Sequence, residues 1–224
     1  PYYRHGKRTT EPIKFTGSHY DEKTKTKVKT EWIASSESMV PNDEDADIFK
    51  VLLQLYIEQG MPENGEVLFT RYEICKRLNK TVDGTYYRQI ENALKYIFDT
   101  KITSKDAFLH FKEKIFLNTM SEKQFIRLID NYALRDSASN ADGSKEFFQS
   151  RLTLGNYIVE NLRLYYSTFI DWDFYTSLRY SIAKRLYEYL QKKRGKEKKT
   201  RWKERLIPLA ERMGMSSKVP RNIK

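Results

Sequence analysis

Apolar positions at helical spacing predict two amphipathic helices in the first half of the chain. The first begins in the acidic run Asn42–Asp47, because negative side chains favour a helix N-terminus, and it ends before Gly60 and Pro62. The second begins at Thr85, which is its expected N-cap, and extends to Ile97. The two apolar stripes are Ile48, Leu52, Leu55 and Tyr56, then Tyr86, Ile90, Ala93, Leu94 and Ile97.

A shorter helix precedes the second of these two. Thr70 is its expected N-cap, and Glu73 has the three-residue spacing of a capping box. Ile74 and Leu78 are expected to face inward, and the polar turn Asn79–Gly84 follows them. The short helix, this turn and the longer helix are therefore predicted to form a helix-turn-helix.

Alternating and β-branched runs predict strands around these helices. The first two form a hairpin in which Lys25, Lys27 and Lys29 share one face. That face is expected to be solvated and to protect an edge strand, with phosphate contact as the alternative. One strand precedes the helix-turn-helix, and the last three follow it as the wing of a winged helix. In chain order the predicted strands are Ile13–Tyr20, Thr26–Ala34, Val67–Phe69, Ile102–Phe111, Ile115–Met120 and Gln124–Leu134.

The second half of the chain repeats this plan more faintly. Arg205–Lys224 resembles the first helix-turn-helix and follows a long amphipathic helix, as the first copy does. Between that long helix and Arg205 lies Gln191–Lys203, which is predicted to be a basic hinge. Further upstream, Arg151–Val159 is expected to be strand-like or mixed, and Asp171–Leu178 forms a turn and helix start in which Asp171 is a candidate cap.

These patterns predict an α+β protein of two tandem winged-helix domains, each a helix-turn-helix plus a β-wing. The polar run Asp136–Lys145 is the expected flexible connection. The predicted organisation is a flexible basic arm at residues 1–12, a first winged-helix domain at 13–135, a polar linker at 136–150 and a second winged-helix domain at 151–224 that is incomplete at its C-terminus.

Charge and composition favour a polyanionic partner. The 224 residues include 41 Lys and Arg against 30 Asp and Glu, a formal charge of +11. No apolar run approaches the roughly 20 residues of a membrane span, so no membrane partner is expected. The single cysteine, Cys75, excludes an internal disulfide and fits a reducing cytoplasm. Three scattered histidines and the lack of a phosphate-binding loop predict no catalytic residues, no cofactor and no metal.

The outward face of the second helix has the chemistry of a DNA-reading surface. Arg can bond guanine and Gln or Asn can bond adenine, while Lys and Thr can hold phosphates. The alternative is an ordinary solvated helix face. The candidate DNA-binding residues are Thr85, Arg88, Gln89, Asn92 and Lys95 in this helix, Lys198, Lys199, Arg201 and Lys203 in the basic hinge, and Ser217, Lys218, Arg221 and Lys224 in the fainter copy.

Two stretches resemble the replication initiator protein A family of plasmid initiators. They are TEWIASSESMVPNDEDADIF, which starts at Thr30, and FIDWDFYTSLRYSIAKRLYEYLQKKR, Phe169–Arg194. The resemblance implies two winged-helix domains without enzymatic activity that bind double-stranded DNA at a plasmid origin, at short direct repeats. It also implies origin opening and recruitment of host replication proteins.

Two other functions remain open at this stage. A winged-helix transcriptional repressor would bind DNA in the same way as an initiator. A dimerisation or partner-binding module would use the helix-turn-helix face against protein, including a second copy of the chain in a homodimer. Binding to duplex DNA would separate the partner-binding module from the other two.

Overall fold

The computed structural model describes residues 8–21, 25–121, 124–135, 138–139, 145–146, 149–164, 170–197, 203 and 209. These residues form an α+β structure with antiparallel sheets. Its strands are β1 (Ile13–Asp21), β2 (Thr26–Ser36), β3 (Glu66–Phe69), β4 (Thr100–His110), β5 (Ile115–Asn118), β6 (Ile126–Arg127), β7 (Ile129–Ala133), β8 (Ala138–Ser139), β9 (Lys145–Glu146) and β10 (Ser150–Leu154). Its helices are α1 (Asp43–Glu58), α2 (Arg71–Arg77), α3 (Gly84–Asp99), α4 (Asn156–Arg163), α5 (Trp172–Ser177) and α6 (Ser181–Glu197). Among the described helices, none is long and apolar enough to cross a membrane.

The first helix forms as the apolar spacing predicts. Asn42 is its N-cap, and its side-chain oxygen accepts hydrogen bonds from the backbone N–H groups of Glu44 and Asp45 at 3.1 Å. The carboxylate of Asp45 accepts in return from the Asn42 N–H at 2.9 Å, which completes a capping box. The predicted apolar stripe is buried in the core. α1 therefore has a well-defined start and one fully apolar face.

The helix-turn-helix is present as two helices, with one change at the caps. Thr70 accepts from the Glu73 N–H at 3.1 Å, as expected for the N-cap of α2. The N-cap of α3 is Asp83, whose carboxylate accepts from the Tyr86 N–H at 2.7 Å, so the expected cap at Thr85 is wrong. Asp and Thr both cap helices well, and here Asp83, two residues before Thr85, accepts from the otherwise free N–H of Tyr86. All five residues of the predicted α3 stripe are buried.

A three-stranded sheet places distant segments together. Its order is β3-β10-β7, so Ser150 pairs with Phe69 and Arg151 pairs with both Leu68 and Ala133. The polar run predicted to link two domains therefore connects two neighbouring strands of one sheet, and β8 and β9 pair within it. A domain boundary at Arg151 would therefore separate β10 from β3 and β7, although the three strands belong to one sheet.

A larger sheet of five strands has the order β1-β2-β4-β5, with β6 also paired to β4. The predicted hairpin is confirmed as β1 and β2. Among the strands after α3, β4 pairs with β2 of this sheet, whereas β7 belongs to the three-stranded sheet. β2 begins at Thr26, so Lys25 lies in the turn, with a positive φ of 55°.

The stretch Arg151–Val159, expected to be strand-like or mixed, is divided between the end of β10 and the start of α4. The β-branched residues there favour a strand locally, but only 150–154 pair in a sheet and the helix follows directly. A Cβ on Gly155 would lie 2.1 Å from the backbone oxygen of Arg127, so only glycine allows this close approach of α4 to β6. Val159 then joins the core, which ties α4 to the same unit as β3.

The N-terminal and C-terminal flanks also differ from expectation. Arg8, in the predicted flexible arm, makes two hydrogen bonds to Asp45, at 2.9 and 2.8 Å. Asp171 caps α5, as expected, by accepting from the Phe174 N–H at 3.0 Å. Helix α6 continues to Glu197, so the first part of the predicted hinge is helical, because Lys, Gln, Arg and Glu are good helix formers.

Candidate nucleic-acid interface

The outward face of α3 carries four of the five residues predicted there. Thr85, Arg88, Asn92 and Lys95 are all exposed, and their spacing of three and four residues puts them on one stripe. None of their side chains makes a hydrogen bond or ion pair with another described residue. The opposite stripe is buried, so the orientation of this face is fixed by the core. α3 therefore presents a rigid row of unoccupied donors and acceptors to solvent.

Gln89 belongs to a different environment. It is half-buried, and its Nε2 donates to Glu44 Oε2 at 2.7 Å. This bond joins the middle of α3 to the first turn of α1. Base contact by Gln89 stays a prediction, and in the structure its amide already has a partner 45 residues away in the chain. Its observed contact is one that positions α3.

Helix α2 and the turn add exposed groups that the sequence prediction missed. Tyr72 and Lys76 lie one helical turn apart, with the Lys76 ammonium 5.5 Å from the centre of the Tyr72 ring. Lys80, in the turn, is exposed and lies 5.9 Å from the ring of Tyr86. The i, i+4 spacing of Tyr72 and Lys76 is a signal that could have identified this flank. The helix-turn-helix thus has two cations beside the α3 face.

Carboxylates near this face are held by local partners. The pKa of Asp83 is lowered because its carboxylate accepts hydrogen bonds from the Tyr86 N–H and the Thr81 hydroxyl. Glu91 forms an ion pair with Arg71 of α2. Burial raises the pKa of the Cys75 thiol in the core beneath, so this cysteine stays protonated and is unsuited to nucleophilic attack.

The end of α2 is also joined to the second half of the chain. The indole N–H of Trp172 donates to the Arg77 carbonyl at 3.0 Å. Arg77 itself bonds Glu58 of α1 at 2.8 and 2.6 Å. Lys184 of α6 forms an ion pair with Asp47 of α1 at 2.6 Å. Helix α5 therefore contacts the end of α2, and helix α6 contacts α1.

The remaining predicted contacts lie mostly outside the described residues. Lys203 is described and exposed. The other hinge and C-terminal candidates, outside the described residues, are Lys198, Lys199, Arg201, Ser217, Lys218, Arg221 and Lys224.

The molecule is thus an α+β protein that presents a polar, cationic helix-turn-helix on an antiparallel frame. Its sequence matches the family model described as Replication initiator protein A over residues 12–223. The chain belongs to this family, which confirms the resemblance.

Solved structures share the fold. The chain is similar to a crystal structure of domains 2 and 3 of RctB, with a TM-score of 0.54 and 12% identity over 84% of this chain and 65% of that one. A second crystal structure of RctB domains 2-3 gives a TM-score of 0.51 and 11% identity over 85% of this chain and 66% of that one. The chain thus spans slightly less than two thirds of these neighbours. A search of curated proteins finds no match.

Proposed function

We propose that this chain is a plasmid replication initiator that binds double-stranded origin DNA sequence-specifically, with α3 as a recognition helix. The order α1, β3, α2, α3, β7, β10 is that of a winged helix, and the connection between β7 and β10 corresponds to the wing. The strands β4, β5 and β6 are then an insertion between the recognition helix and the wing hairpin, and they form a sheet with β1 and β2, which precede α1. The fainter helix-turn-helix predicted at Arg205–Lys224 lies, apart from residue 209, outside the described residues.

The observation that carries this proposal is the unoccupied outward face of α3. A recognition helix lies in the major groove and needs side chains that reach base edges from a rigid support. Arg88 and Asn92 have the chemistry to read guanine and adenine, while Thr85 and Lys95 at the two ends can hold phosphates. Lys76 and Lys80 lie where the DNA backbone would pass the turn. The protein would use no cofactor and catalyse no reaction.

In this function the chain would bind short direct repeats at the origin. Several copies on neighbouring repeats would open the adjacent duplex and recruit host replication proteins in the cytoplasm. Selection of bound sequences from random duplexes tests the first step, and enrichment of one short site is the expected result. No enrichment would favour the partner-binding alternative, in which this face meets protein.

A substitution pair separates base reading from phosphate contact. Arg88→Ala should weaken binding to the selected site by about 1–3 kcal/mol and relax selectivity at one base pair. Lys95→Ala should weaken binding to all duplexes alike and reduce the slope of log K against log salt by about 0.9. Fluorescence anisotropy with selected and scrambled duplexes measures both effects.

Lys114→Ala is the matched control, because Lys114 is exposed in the turn between β4 and β5. Its affinity should equal that of the unmodified chain. If Arg88→Ala also leaves affinity and selectivity unchanged, α3 does not read DNA. Maintenance of an origin plasmid by the chain supplied in trans separates an initiator from a repressor, since a repressor would not sustain the origin.

A further inference from the structure

The outer face of the five-stranded sheet is strongly cationic. In the register of β1, β2, β4 and β6, one set of positions points away from the core. The inward set includes buried Ala34, Ile102 and Ile126. The charged residues of the outward set are Lys14, Lys27, Lys29, Glu31, Lys101, Lys105 and Arg127. This surface, called here the basic sheet face, has six cations and one carboxylate in its described strands.

Part of the basic sheet face is a two-stranded ribbon that projects beyond the sheet. β2 pairs with β4 only from Glu31 onward, whereas Thr26–Thr30 pairs with β1 alone. β4 turns away after Lys105, where Asp106 has a positive φ of 55° and the register shifts. The hydroxyl of Ser104 fixes this bulge by accepting from the N–H groups of two later residues at 3.2 and 3.0 Å. The ribbon is therefore a built feature of the sheet.

The cations of this face are unequally engaged. Lys14 forms an ion pair with Glu31 at 2.6 Å, and Lys101 forms one with Glu37 at 2.5 Å. Lys27, Lys29 and Lys105 are exposed, and no described carboxylate lies within ion-pair distance of them. These three lysines therefore expose positive charge that no described carboxylate balances. This uncompensated charge favours a negatively charged partner from outside the molecule.

The geometry points to duplex DNA as the occupant: we propose that the basic sheet face binds the phosphate backbone of DNA, separately from α3. From Lys27 to Ser35, which pairs with Lys101, the face extends about 26 Å along β2, since a strand rises about 3.3 Å per residue. That length matches the phosphates of about eight base pairs. Lysines are flexible point charges, which suit phosphates better than base edges. Like charge also opposes packing of this face against a second copy.

This inference rests on the proposed function, because it adds a second contact to the same DNA. It also replaces the solvated-face interpretation of Lys27 and Lys29. Binding by this face would not depend on the DNA sequence, so it would raise affinity for any flanking duplex and leave base selection to α3. A chain with both contacts holds DNA on two surfaces of one rigid unit.

The test compares two double substitutions of equal charge. Lys27→Gln with Lys29→Gln removes two cations from the ribbon, whereas Lys112→Gln with Lys114→Gln removes two from the β4–β5 turn, where both lysines are exposed. Binding of the full chain to a duplex of scrambled sequence is measured across a salt series. The ribbon variant should bind at least about threefold more weakly, with a slope smaller by about 1.8, and the control should match the unmodified chain.

Other outcomes separate the two proposals. If the unmodified chain does not bind duplex DNA, the proposed function itself fails. If it binds and Arg88→Ala weakens it, but the ribbon variant equals the control, only the basic sheet face is refuted. If the ribbon variant loses affinity only for a single-stranded oligonucleotide, the basic sheet face binds single-stranded DNA instead of duplex DNA. A change in oligomeric state by sedimentation, with unchanged DNA affinity, would make this face a contact between copies.

Discussion

Helix α1 meets the two halves of the molecule through contrasting faces. One face is fully apolar and packs with α3 and the sheet strands, as Ile48, Leu52 and Tyr56 are completely buried. The other carries Asp43 and Asp47, which meet cations of α6 at 2.9 and 2.6 Å. The same helix is thus the centre of an apolar core and one side of an ionic interface.

The ionic side is a connected network. The hydroxyl of Tyr175 donates to Asp47 at 2.5 Å, and Lys50 donates to the same hydroxyl at 2.5 Å. Lys50 also forms an ion pair with Glu188 of α6 at 2.6 Å. Burying a charged group costs solvation free energy, and its ion-pair partners offset only part of that cost. Burial of apolar surface, by contrast, stabilises the folded state. We therefore expect the core around α1 and α3 to be the stable unit and the docking of α6 to be the weaker one.

The largest expected effect comes from the apolar face. Leu52→Ala should lower the free energy of unfolding by about 3–5 kcal/mol, because it leaves a cavity at a completely buried position. Urea denaturation followed by circular dichroism measures the change. Ile57→Ala is the control on the same helix, since Ile57 is 47% exposed and its loss should cost less than about 1 kcal/mol. Equal effects of both changes would contradict the contrast between the faces.

A smaller and more local effect is expected at the ionic face. Arg185 is 6% exposed, and it donates to Asp43 at 2.9 Å. Arg185→Met keeps the apolar stem but removes the charge, which should weaken the docking of α6 by about 2–3 kcal/mol. Hydrogen exchange should become faster in α6 than in α1 or α3. Arg179→Met, at an exposed position before α6, is the control and should leave exchange unchanged.

A double substitution tests whether the pair itself is responsible. Adding Asp43→Asn to Arg185→Met removes the second charge, so the double variant should recover part of the lost docking. If the two changes simply add, the interface is not held by this ion pair. If exchange rises equally in α1, α3 and α6, the two regions unfold together and the comparison fails.

The two regions also differ in how far the sequence predicts them. Apolar spacing is a local signal, so the stripes of α1 and α3 follow from residues three and four apart, and both are correct. The partners of the ionic face are Lys184 with Asp47 and Arg185 with Asp43, which are 137 and 142 residues apart. Nothing local in the sequence indicates which of many carboxylates meets which cation.

The same reason explains what the sequence could not show about Gln89 and about the polar run after β7. Gln89 lies at the edge of the outward face by periodicity, but Glu44 of another helix binds its amide. The polar run after β7 has the composition of a linker, and only the pairing of β10 with β3 identifies it as a connection within one sheet. Glycine, serine and aspartate favour turns of either kind. Long-range pairing, which composition does not encode, makes the distinction.

The smallest expected effect is a pH dependence confined to the ionic face. Burial raises the pKa of Asp47, but Lys50, Lys184 and Tyr175 together outweigh burial and hold its pKa below the ordinary value of 3.8. A carboxylate with a lowered folded-state pKa stabilises the fold above its unfolded-state pKa, and this contribution is lost as pH falls through the folded-state pKa. Docking of α6 should therefore be complete above about pH 4 and should weaken below it.

Asp47→Asn isolates this contribution. At pH 6 the variant should melt below the unmodified chain, and this gap should narrow as pH falls below 3.8 toward the folded-state pKa, because protonated Asp47 resembles asparagine. Asp173→Asn, at an exposed position on α5, should show the same small difference at both pH values. A gap between Asp47→Asn and the unmodified chain that does not narrow at all between pH 6 and pH 3 would mean that geometry, rather than charge, joins Asp47 to Lys184.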